Sequence, residues 1–136
     1  MRVSPRVWLA LGLLSLAGSM AHADAPDRRV REAVARDLLY CGSLYHGLSL
    51  KVPAGKHEAV ARLGDSLIAG AATVLPDDPE FLKREHEAVR TRLAAELVDA
   101  SGEKLGKLAQ AAECGSFLQE DGIATVIRKR SAALNP

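Results

Sequence analysis

Apolar positions along the chain recur at steps of three and four, and no stretch alternates with the period of two that a half-buried strand shows. From Val30 to Leu48 the residues Val30, Val34, Leu38, Cys41, Leu44, Tyr45 and Leu48 fall on one side of a helix, predicted over 27–50. "KVPAG" then interrupts, because proline disfavours helix in the residue before it and glycine permits a turn. A second helix, over 56–75, carries Val60, Leu63, Leu67, Ala71 and Val74. Gly64 lies within that stripe, where a missing side chain lets a neighbouring backbone approach.

"LPDDPEF" punctuates the chain most clearly: Pro76 ends the second helix, Asp78 suits an N-cap and Pro79 suits a first helical turn. The third helix, over 79–100, turns Leu82, Val89, Leu93, Leu97 and Ala100 inward. "SGEK" opens a fourth over 102–118 with Leu105, Leu108, Ala111, Ala112 and Leu118. After "QEDG" a short fifth helix, over 122–133, holds Ile123, Val126 and Ile127. Four main helices with short connections predict an all-α, up-down-up-down bundle in which the first and fourth are antiparallel neighbours. The fifth covers one end, where Arg128, Lys129 and Arg130 complement the dipole of a helix C-terminus.

The N-terminus lies outside this pattern. Arg2 and Arg6 precede the uncharged run "VWLALGLLSLAGSMAHA", whose small residues Ala21 and Ala23 suit signal peptidase, so residues 1–23 read as a cleaved secretory signal peptide and 24–136 as a single domain. Ser19 stands where the cysteine of a lipoprotein box would be, and no stable membrane anchor is expected. Removing the leader leaves 16 basic and 17 acidic residues, a formal charge of −1. Without a basic field the nucleic-acid reading loses its first requirement. A periplasmic or secreted location follows.

An oxidising compartment gives Cys41 and Cys114 one intramolecular pairing, and the bundle sets their helices side by side. A structural disulfide is therefore expected, with Gly42 and Gly115, each following a cysteine, allowing the close approach. A redox pair lacks the Cys-x-x-Cys spacing. A metal site or a Cys–His nucleophile would need His46, five residues on, yet that step turns it about 140° away from Cys41. No metal or cofactor is expected.

Asp37 falls on the apolar side of the first helix, where a carboxylate must be solvated, paired or perturbed; a partner arginine or lysine at the core edge is the expectation. His86 is expected as a hydrogen-bonded core histidine, and His57 with Glu58 as ordinary surface. There is no His-Glu-x-x-His, no phosphate loop and no nucleophile elbow, so catalytic residues are not expected. "LLYCGSLYHGLSL", residues 38–50, carries no formal charge, so its helix is either central or covered by a partner. Leu39, Tyr40, His46 and Leu50 form the candidate partner surface.

These features favour an exported, non-enzymatic factor of the bacterial envelope that binds another envelope or secreted protein, an inhibitor or immunity role being compatible. The alternative is a bundle holding a small apolar ligand, since "IAGAATV" in the second helix leaves room at the centre. The exported form is predicted to begin at Asp24 without lipid. Intact mass checks this, and retention of residues 1–23 would contradict it.

Overall fold

The structure is a computed structural model that describes residues 26–135, so the expected leader and its cleavage site lie outside the described residues. Six helices pack together: α1 (Arg28–Ser49), α2 (His57–Val74, entered through the 3-10 turn Ala54–Lys56), α3 (Pro79–Asp99), α4 (Gly102–Ala111), α5 (Cys114–Leu118) and α6 (Gly122–Leu134). No strand occurs among the described residues, and none of these helices is long and apolar enough to cross a membrane. Three starts are capped as their sequences suggest. Asp27 Oδ1 accepts from the Arg29 amide at 2.7 Å, Asp78 Oδ1 from Phe81 at 3.0 Å and Ser101 Oγ from Lys104 at 3.1 Å.

Helix α1 is central, and the others are laid on its sides. Helix α2 runs antiparallel to it, pairing Gly64 with Gly42 and Gly70 with Leu38. Helix α3 starts beside the start of α1, where Arg28 meets Asp78 at 2.6 Å, and ends near Gly47, against which Leu97 packs. Helix α4 returns from Gly102, beside Lys51, toward Cys114, which is bonded to Cys41. The order is the predicted up-down-up-down bundle, with α1 and α4 as antiparallel neighbours. Val34, Leu38, Cys41 and Leu44 on α1 are almost wholly buried, and Leu67, Leu93 and Leu105 reach them from α2, α3 and α4.

The disulfide forms as predicted, with Cα atoms 5.6 Å apart and both cysteines fully buried. Its expected glycine support is corrected. A Cβ on Gly42 would meet α2, at 2.6 Å from Ile68 Cγ1 and 2.9 Å from the Gly64 carbonyl oxygen, while Gly115 has nothing within 4 Å. Gly42 therefore serves the α1–α2 crossing.

The predicted fourth helix is broken in two. Glu113 adopts left-handed φ 55° between α4 and α5, and Asp121 does the same at φ 54° before α6. The apolar spacing runs on across the break, so periodicity alone does not reveal it. Leu63, expected inward, is 39% exposed, and the core instead takes Phe81 and Phe117. Helix α6 extends to Leu134 with no basic residue in its last turn. Its cations are therefore not C-terminal dipole partners; Arg130 reaches Asp37 at 2.5 Å.

The glycines give a signed test. A Cβ on Gly64 would lie 2.9 Å from the Gly42 carbonyl oxygen and collide with His46 Cδ2, whereas one on Gly106, inside α4, meets nothing within 4 Å. Gly64→Ala should destabilise by about 1–3 kcal/mol despite better helix propensity, and Gly106→Ala should stabilise by about 0.4–1 kcal/mol. Denaturant unfolding of the two variants checks the opposite signs.

Candidate ligand-binding groove

Helices α2 and α3 grip different flanks of α1 and barely meet each other. Toward the C-terminal end of α1 the gap between them is a groove of about 940 Å³. Its floor is Ser43, Gly47 and Leu50; Ile68 comes from α2, and Ala94 with Leu97 from α3. Ser43 and Gly47 are four residues apart, so they share one face, and their small size keeps the floor low. Nothing in the floor carries a formal charge.

The polar groups sit on the walls. His86, Glu87, Arg90 and Thr91 come from successive turns of α3, and His46 from α1. The His46 ring lies over Gly64, whose missing side chain makes room for it. Its Nε2 is 2.9 Å from Asp65 Oδ1 without hydrogen-bond alignment, so this buried nitrogen has no hydrogen-bond partner. Ser43 Oγ is likewise buried and unpartnered, whereas Ser49 Oγ donates to the His46 carbonyl at 2.6 Å. Burial, followed by the Arg90 guanidinium and then His46, holds the His86 imidazole below its ordinary range.

The candidate partner surface does not form one patch. Leu39 is only 2% exposed and belongs to the core, which corrects its assignment. By helical rotation it lies about 60° from Gly42 on one side and about 60° from Arg36 on the other. Gly42 faces α2, and Arg36 reaches Glu85 at 3.3 Å and the Phe81 ring at 5.0 Å on α3. Leu39 is thus enclosed between α2 and α3. Tyr40 stands by a separate cavity with the Arg92 guanidinium 5.2 Å over its ring. Only His46 and Leu50 reach the groove.

Asp37 meets an arginine as expected, but its side chain is 46% exposed, so it is not buried. His86 is half-buried in the groove wall rather than in the core. Sequence reading missed Ser43, Gly47, Arg90, Thr91 and Ala94. The signal for the α3 set was its spacing, since Glu87, Arg90, Thr91 and Ala94 repeat at three and four on a face beside the core stripe.

Ser43, His46 and Asp65 are the residue types of an activated nucleophile, but the required hydrogen bonds between them are not made. The disulfide sulfurs are buried away from the groove. Among the described residues no three side chains of metal-ligating type converge. The groove has an uncharged floor, polar side chains on its walls and an open mouth. Comparison with protein-family models, curated proteins and solved structures found no match, so geometry carries the functional reading.

The two leucines once grouped together now separate. Leu39→Asp should bury an unpaired carboxylate and destabilise by more than about 3 kcal/mol. Leu50, 75% exposed, should accept Asp within about 0.5 kcal/mol. Thermal unfolding of the two variants side by side tests this.

Proposed function

We propose that this chain is an exported, non-enzymatic helical bundle that binds a small apolar ligand in the groove between α1, α2 and α3. The observation that carries the reading is the open groove of about 940 Å³, with an uncharged floor, where α2 and α3 diverge. That volume lies within the range of about 300–1,000 Å³ usual for small-molecule sites. The buried Cys41–Cys114 disulfide supports an oxidising compartment.

A protein partner is the second reading, and one observation favours it. Leu50 and Val98 are 75% and 73% exposed, at the ends of α1 and α3 that lie together. Two exposed apolar side chains are a smaller contact than the four-residue surface expected from sequence. The ligand reading has the greater support.

Filling the groove is the test. Ala94 is exposed on its wall, so Ala94→Trp occupies the space without entering the core. The neutral apolar dye Nile red should bind the wild-type protein and bind Ala94→Trp at least tenfold more weakly, at unchanged thermal stability. Equal binding by both, or none by the wild type, would remove the groove as a ligand site. Binding of a partner protein that is lost on Val98→Asp but kept by Ala94→Trp would establish the second reading instead.

A further inference from the structure

We infer that the groove is built for a single-chain amphiphile with a carboxylate head, its head against Arg90 and its tail along Ala94, Leu97 and Leu50. The inference rests on the ligand-binding reading and adds the chemistry of the ligand. The groove is polar at one end and apolar at the other: His86, Arg90 and Thr91 precede Ala94 and Leu97 along α3. From Arg90 to Leu97 the helix advances about 10 Å at 1.5 Å per residue. An extended hydrocarbon advances about 1.3 Å per bond, so about nine carbons reach Leu97 and a chain of about a dozen continues toward Leu50.

The charge at the polar end selects the head. Arg90 makes no ion pair, hydrogen bond or ring contact among the described residues, unlike Arg36, Arg92 and Arg130, which have Glu85, Tyr40 and Asp37. Its guanidinium fork matches a carboxylate with two parallel hydrogen bonds. Thr91 and the His86 imidazole stand beside it in the same wall. Glu87 is the opposing carboxylate in the lining, and Asp65 lies outside it, beside His46. Glu87, three residues before Arg90 on the same helix, makes no ion pair with it and leaves the guanidinium donors free. A carboxylate head can accept from those donors, and an ammonium head cannot.

Dodecanoate, 1-dodecanol and dodecyltrimethylammonium share a tail and differ in the head, so calorimetry with the mature protein, below micelle-forming concentrations, isolates the head. Dodecanoate should bind at least tenfold more tightly than the other two. Arg90→Gln should abolish that preference while leaving dodecanol binding unchanged, and Arg90→Lys should restore part of it. Proton NMR should show dodecanoate, and not dodecanol, moving the His86 titration to higher pH, because a bound anion favours the imidazolium. Equal affinity for all three, preference for the ammonium, or a dodecanoate preference that survives Arg90→Gln would overturn the inference while Nile red binding keeps the groove. Failure of Nile red and all three chains would overturn the ligand reading itself. Association with anionic phospholipid vesicles without affinity for free dodecanoate would also overturn the inference, making the surface a membrane contact.

Discussion

Helices α1 and α2 cross with their backbones nearly touching, the Gly42 carbonyl oxygen lying 2.9 Å from where a Gly64 Cβ would stand. Much of the arrangement follows from that proximity. Drawn onto one flank of α1, helix α2 leaves the opposite flank to α3. There Arg28 meets Asp77 and Asp78, and Arg36 meets Glu85 and the Phe81 ring. These exposed ion pairs are each worth about 0–1 kcal/mol, so they set direction more than stability. Near the start of α3, Phe81 and the preceding Leu75 are in the core, and Leu39 is buried too. One helical turn later the gap is open over Ser43. The groove is thus the consequence of a close crossing on one side and a contact concentrated at one end on the other.

The remaining side of α1 is closed by covalent and polar means as well as by packing. The disulfide joins positions 73 residues apart, for which the chain-entropy model gives about 4 kcal/mol. Helix α5 is five residues long, too short to hold itself by its own backbone bonds, so its place depends on Cys114 and on Phe117 in the core. Beyond it, α6 is laid on the N-terminal half of α1, with Ile123 against Gly70 and Arg130 on Asp37. A left-handed residue precedes each of these two helices, at Glu113 and Asp121. For aspartate that conformation is comparatively accessible, and for glutamate it is uncommon. The chain accepts it where α4 must turn to set Cys114 against Cys41.

Most of the architecture was legible because each long helix has one apolar stripe and a distinct stop. The spacing from Val30 to Leu48, the punctuation at Pro76–Pro79 and the paired cysteines sufficed for element order and for the α1–α4 neighbourhood. What periodicity supplies is a face; it does not supply the neighbour that the face meets. Leu39 read as surface because it lies off the main stripe of α1, yet a central helix has no outer side and α2 and α3 enclose it. Arg90 was invisible for the complementary reason: an arginine on an exposed face is ordinary until the fold shows that its surroundings are a groove wall. The break at Glu113 was hidden because Leu105, Leu108 and Ala112 keep helical spacing up to it, and a backbone dihedral has no hydrophobic signature.

A bundle selected only for stability would treat the groove differently. A larger side chain at the exposed Ala94 would cover apolar surface at about 25 cal/mol per Å². The buried, unpartnered Ser43 hydroxyl carries a desolvation penalty of about 1–3 kcal/mol that alanine would avoid. His86 sits in the same wall, half-desolvated and beside a like-signed guanidinium, where its protonated form is disfavoured. A low floor, an unsatisfied hydroxyl and an arginine without an ion pair meet in this groove. Partnerless buried polar atoms also occur at Arg31 Nε and Ser131 Oγ, so it is the conjunction that sets the groove apart. On the proposed reading, that conjunction is space and bonding capacity kept for a ligand.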